Sequence, residues 1–315
     1  MENKIDDIQK SDNKNIDYSL YFSQPEKLIT LAQALIIDQN FDQGIDILKN
    51  SINYAQKKYG GENNIELVPF YNAYADGLIQ EIMSSTDNSI SISNIKEEPN
   101  EKNDIMINNI NLPDSQIAFE YLNKANIILK KHLEQYNGKD PSTLNKEVIK
   151  YYLYLSENYN SFANLAKINL NFEKAIEYYK LSINYTKKYN IKFSRNLAAL
   201  YFELAQILIY DPFNCLLSLY KSRVIMEYHL QQEITKANLD IQLNIDEKDL
   251  DLESISYNNE KINKNKELIE TNVELNKIME ENVNIKEFVD IIKDINNKIQ
   301  NVIWELKEYA FFCEE

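Results

Sequence analysis

Glycine and proline, the residues that most often interrupt regular structure, are scarce in this chain: five and six among 315 residues. Leu, Ile, Lys, Glu and Asn run on in long unpunctuated stretches instead, which predicts an almost entirely helical protein. Cysteine is scarcer still. Cys215 and Cys313 are too few for a disulfide framework, so a reducing compartment is expected. Positive charge is in deficit, with 34 Lys and Arg against 49 Asp and Glu and a formal net charge of −15. That balance argues against nucleic acid or an anionic membrane as a direct partner and favours basic proteins. No apolar run approaches the roughly 20 residues that span a bilayer. The opening MENKIDDIQKSDNKN lacks a basic segment followed by an apolar core, so a soluble, intracellular protein is expected. Catalytic signatures are missing as well. The only histidines are His132 and His229, and there is no Gly-rich phosphate loop, no Gly-x-Ser-x-Gly elbow and no metal-ligand spacing. These gaps predict no enzyme, no cofactor and no metal.

What is present is 44% hydrophobic residues, enough for one large or two ordinary domains, and a repeat. Residues 40–57, NFDQGIDILKNSINYAQK, return at 171–188 as NFEKAIEYYKLSINYTKK, with nine of eighteen positions identical. A helical hairpin of the tetratricopeptide type places a small residue where its helices cross, an aromatic near the turn, and Ala-x3-large-x2-small on the second helix. Tyr159, Phe162, Ala163, Phe172, Ala175, Tyr179 and Ser182 fit that pattern, and Leu28, Leu31, Ala32, Leu35, Phe41, Gly44, Leu48 and Ser51 repeat it. A first helix at 66–83 carries Tyr71, Tyr74, Ala75 and Leu78, but its partner arrives only at 114–136, with Ala118, Leu122 and Ala125. Between them, 84–113 is a polar insertion with five acidic residues against two lysines, a net of −3 and far longer than a helix-pair turn. A fourth hairpin carries Tyr201, Leu204, Ala205 and Leu208, then Leu216, Tyr220 and Arg223.

The expected fold is therefore all-α: a tetratricopeptide-repeat superhelix of about four hairpins, its second repeat interrupted by an acidic loop, with a long C-terminal capping helix. The repeats fall at about 25–58, 66–83 with 114–136, 150–189 and 195–230 of a domain spanning 21–230, after a disordered segment at 1–20. Residues 231–258 are expected to be an acidic linker, since 240–260 carries Asp240, Asp246, Glu247, Asp249, Asp251, Glu253 and Glu260 against Lys248 alone. From 259 to 312, Phe288, Ile292, Ile295, Ile299, Val302 and Leu306 form one four-three stripe, the mark of a capping helix or of a coiled-coil dimer. Monomer and homodimer both remain open. The aromatics Tyr71, Tyr74, Tyr159, Phe172, Tyr179 and Tyr201 are expected to pack between helices.

KKYGGENNIELVPFYNAYADGLI, the interrupted second repeat and RNLAALYFELAQILIY together resemble the histone-binding tetratricopeptide proteins related to nuclear autoantigenic sperm protein, the SHNi-TPR family. The resemblance covers about residues 25–310 and implies a histone chaperone that binds H3 and the H3–H4 pair, shields them and supports nucleosome assembly on chromatin without ATP. The linker histone is a further candidate partner. The resemblance puts the histone-contacting acidic position at Glu157, with Asp76, Asn160 and Asn164 facing the same groove. Where related last repeats carry an acidic residue after Leu-Ala, this chain has Ala199, with Glu203 one turn on. Glu97, Glu98, Glu101 and Asp104 of the insertion are the remaining candidate contacts. A nuclear location with a cytoplasmic pool is implied, although no basic import cluster is visible. The alternative is a generic peptide-binding scaffold or co-chaperone, whose groove would present Lys, Arg and Asn to a terminal carboxylate.

Overall fold

A computed structural model describes residues 24–93, 112–190, 193–208, 210–245, 251–252 and 255–313. Among these residues there are eleven α-helices and no strand. The first helices are α1 (Glu26–Ile37), α2 (Phe41–Tyr59), α3 (Val68–Ser93) and α4 (Leu112–Leu133). They are followed by α5 (Lys146–Ile168), α6 (Phe172–Tyr189), α7 (Arg195–Ile207) and α8 (Pro212–Lys236). The last three are α9 (Asn259–Thr271), α10 (Val273–Met279) and α11 (Val283–Cys313). The chain divides into two compact units, Met1–Ile128 and Leu129–Glu315.

With so little Gly and Pro, asparagine and its relatives punctuate the chain. Side chains of Asn145, Asn171, Ser194, Asp211, Asn258 and Asn272 each accept a backbone N–H of the helix they open. Helix ends turn through left-handed residues: Gln39 (φ 63°), Leu170 (φ 55°) and Asn238 (φ 56°). In each turn the next N–H reaches back to a carbonyl five residues earlier, as in Asn40 to Leu35 at 2.8 Å and Asn171 to Ala166 at 2.9 Å. The sequence repeat is thus also a repeat of turn geometry.

In the first unit α1 and α2 pack as a hairpin around Leu28, Ala32, Ile36, Ile47, Leu48 and Ala55. The helices approach so closely at Gly44 that an added Cβ would lie 2.6 Å from Ile36 Cγ1 and 3.1 Å from the Ala32 carbonyl oxygen. The two halves of the interrupted repeat do meet. Tyr121 of α4 packs edge-on against Tyr74 of α3 (4.9 Å) and tilted against Tyr71 (5.5 Å). Helix α3 runs to Ser93, ten residues past its expected end at 83, because IMSSTDNSISIS holds no Gly or Pro to stop it. The remainder of the insertion, and the segment 1–20, lie outside the described residues.

In the second unit α5 pairs antiparallel with α6, α6 packs on α7, α7 pairs with α8, and α11 covers α8. Where α5 and α6 cross, Ser156 and Ser182 each donate a hydroxyl hydrogen bond to the other's carbonyl oxygen at 2.8 Å. Small side chains let each backbone come within reach of the other helix's hydroxyl. Along the same interface Tyr189, Tyr152, Tyr185, Tyr159, Tyr178 and Phe162 form a run of near-parallel rings, the tightest being Tyr152 on Tyr189 at 3.9 Å.

Four expectations change here. Tyr71, Tyr74, Tyr159, Tyr179 and Tyr201 are buried between helices, but Phe172 is 37% exposed, because it is the first residue of α6 and points away from the crossing. The segment after α8 is not a solvated linker in its described part. Ile241 and Leu243 are buried, and the Gln231 amide clamps it by donating to the Ile241 carbonyl and accepting from the Leu243 N–H. The single long C-terminal helix is three helices, broken at Asn272, whose side chain caps α10, and again before α11. Its stripe behaves as a cap over Phe288, Ile292, Ile295 and Ile299, all buried against the core that includes α8. Finally, Arg223 takes a position where the earlier repeats have the small residues Ser51, Ala125 and Ser182. It is fully buried, donates to the Ile262 carbonyl at 2.9 Å and lies 2.7 Å from Glu227, an ion pair without hydrogen-bond alignment.

Candidate functional site

One face of α5 gathers the expected contacts of the second unit. Glu157, Asn160 and Asn164 follow i, i+3, i+7 spacing, which stacks them on one side of a helix whose opposite side is buried through Tyr152, Leu155, Tyr159 and Ala163. Glu157 is exposed, while Asn160 and Asn164 are half-buried. Asp76 stands in the first unit on α3, half-buried, with its carboxylate accepting from Gln80 Nε2 at 2.6 Å.

The face is held from behind. Tyr179 of α6, fully buried, donates its hydroxyl proton to Asn164 Oδ1 at 2.5 Å. Burial, and then the nearby Glu203 carboxylate, drive the Tyr179 pKa far upward, so this phenol remains a donor. Asn164 is therefore fixed in orientation. Asn160 presents the opposite case: its Oδ1 is buried and has no hydrogen-bond partner among the described residues.

Glu203 departs from expectation. It does face α5, but Lys167, one turn beyond Asn164, bridges to it at 2.8 Å with only 20% and 35% of the two side chains exposed. Its charge is largely compensated, and the acidic character of this face rests on Glu157. Lys167 was not singled out from sequence, and Tyr179 only as an aromatic that packs between helices. Lys167 was available by continuing the i+3 step from Asn164, whereas the Tyr179 contact joins two helices across a turn and has no local signal. Glu97, Glu98, Glu101 and Asp104 lie outside the described residues.

Elsewhere in the second unit Lys187 and Lys221 are both held below the usual ammonium range, first by burial, with Asp251 opposing the shift in each. Among the described residues no cluster of three or more His, Cys, Asp or Glu could hold a metal ion, and no helix is long and apolar enough to cross a membrane. No protein-family model matches the chain, and no curated protein matches it.

Proposed function

We propose that the chain is a non-catalytic histone chaperone, a tetratricopeptide superhelix in the SHNi-TPR manner that binds H3 and H3–H4. The single observation that carries this reading is the α5 face: an exposed carboxylate at Glu157 beside two amides at Asn160 and Asn164, one of them clamped by Tyr179. An exposed carboxylate with one oriented amide on the same helix face suits a basic, hydrogen-bonding helix or segment, and a protein of formal charge −15 steers such a ligand toward it. Carboxylates that compete with DNA phosphates for histone Lys and Arg keep the histone soluble until it is handed over. A carboxylate-gripping scaffold would need the charge of Lys167, which is already paired with Glu203.

The test is charge reversal at the exposed position. Glu157→Lys should weaken binding to recombinant H3–H4 by about tenfold or more while helix content and melting temperature hold. Unchanged affinity would remove Glu157 from the site and with it the observation on which this reading rests.

A further inference from the structure

The C-terminal cap is only partly used by its own chain. The stripe of α11 is buried down to Ile299, yet the next two members change character: Val302 is half-buried and Leu306 is 37% exposed. Beneath them lies an open groove of about 580 Å³, walled on the other side by Leu208, Tyr210, Cys215 and Leu219 from the end of α7 and the start of α8. Three aromatic side chains in these elements are left out in solvent: Tyr210 (92% exposed), Phe213 (70%) and Trp304 (60%). An apolar groove set among solvent-exposed aromatics is the anatomy of a protein docking surface.

Charge decides what fits it. The groove is lined by one cation and one anion, Lys298 and Glu305, both exposed and both on α11. They are seven residues apart, two helical turns, so they lie in one column with Asn301 and Val302 between them. A basic or an acidic partner would meet one favourable and one unfavourable charge. A second α11, running antiparallel about a two-fold axis at Asn301 and Val302, would meet two favourable ones, since each Lys298 then faces the other chain's Glu305. That is the self-complementarity an isologous interface requires.

We infer that this groove is a homodimer interface, in which the segment Lys298–Leu306 of one copy packs against the same segment of another. The same helix then serves both purposes that its stripe allows, capping α8 with its first half and pairing two chains with its second. The inference does not depend on the histone-binding proposal, because the α5 face and the groove share no residue.

Sedimentation equilibrium of the full chain tests it, with Trp304, the only tryptophan, as an independent optical report. The wild type should show twice the chain mass at micromolar concentration and a blue shift of Trp304 emission on association. Lys298→Glu, an exposed substitution that leaves the core untouched, should weaken association by about tenfold or more by setting like charges opposite each other. The double exchange Lys298→Glu with Glu305→Lys should restore it. A monomeric mass throughout would overturn the inference, leaving the groove to another occupant. A dimer indifferent to Lys298→Glu, or not rescued by the exchange, would overturn it too, by placing the interface elsewhere.

Discussion

The α1–α2 hairpin and the α5–α6 hairpin share half their residues over eighteen positions, and the structure separates what that shared half does from what the other half does. Identical in both is the asparagine ahead of the second helix, Asn40 and Asn171; matched in kind but not in identity are the left-handed residue before it, Gln39 and Leu170, and the buried small residues, Ala32 with Gly44 and Ala163 with Ala175. These residues build the hairpin. The positions that differ set what each hairpin presents. Leu48 in the first hairpin is a plain core residue, whereas its counterpart Tyr179 reaches through the core to hold Asn164. Glu26 and Glu157 also occupy equivalent positions. In the first hairpin Lys58 bridges to Glu26 at 3.0 Å and Tyr59 donates to the same carboxylate. In the second hairpin the residues equivalent to Lys58 and Tyr59 are Tyr189 and Asn190, and Tyr189 is committed to the ring stack. The two equivalent glutamates thus differ in setting: Glu26 is bridged to Lys58 within its own hairpin, and Glu157 stands at an exposed position of α5.

Removing the Tyr179 side chain should have the largest effect. Tyr179→Ala is expected to cost about 3–5 kcal/mol in denaturant unfolding, the usual penalty for emptying a fully buried aromatic site. Tyr179→Phe sharpens the comparison, because it keeps the ring and loses only what the hydroxyl does, its bond to Asn164 and its interaction with Glu203, at about 1 kcal/mol. A Phe variant as damaging as the Ala variant would show that the hydroxyl has a larger part than assigned here. Next comes the crossing. Gly44→Ala makes the first hairpin match the second in sequence, yet the close approach of Ile36 and the Ala32 carbonyl should make it destabilising by about 1–3 kcal/mol. A neutral result would mean that the helices separate freely there.

The turn offers a gain instead of a loss. Leu170 is in left-handed conformation and 58% exposed, so Leu170→Gly should relieve backbone strain and raise stability by about 0.5–1 kcal/mol. The smallest effect concerns pH. Partial burial pushes the Glu26 carboxyl up, but hydrogen bonds from Tyr59 and Lys58 outweigh it and hold the pKa below its ordinary 4.5. A folded-state pKa that is depressed contributes stability above the ordinary value, lost as pH falls through the folded one. Since Glu26 is half exposed, the contribution should stay under about 1 kcal/mol. Urea titrations of Glu26→Gln beside wild type, from neutral pH to below 4, should converge as the pH falls. Parallel curves would leave the bridge without energetic weight.

Much of the helical frame was legible because it depends on short-range patterns. Small-residue spacing marks Gly44 as a close approach, and the aromatic spacing of α3 brings Tyr71 and Tyr74 to ring contact with Tyr121 of α4. The breaks were less visible. Asn272 caps α10 in a chain where asparagine is common, so it carried no more weight in the sequence than its neighbours. The strap at Ile241 and Leu243 was hidden by the acidic residues around it, and its anchor, the Gln231 amide, looked like any solvated glutamine. The site showed the same division. Spacing put Glu157, Asn160 and Asn164 on one face, but the Lys167–Glu203 bridge spans 36 residues and two helices, and only the fold brings it together.

The most direct test of the account is equilibrium binding of the intact chain to recombinant H3–H4 and to the outer histone pair across a salt series. The account predicts tight binding selective for H3–H4 that persists at physiological ionic strength, because a half-buried, oriented face resists screening. Weak binding to both pairs that disappears as salt rises would contradict it, reducing the protein to a diffuse acidic surface.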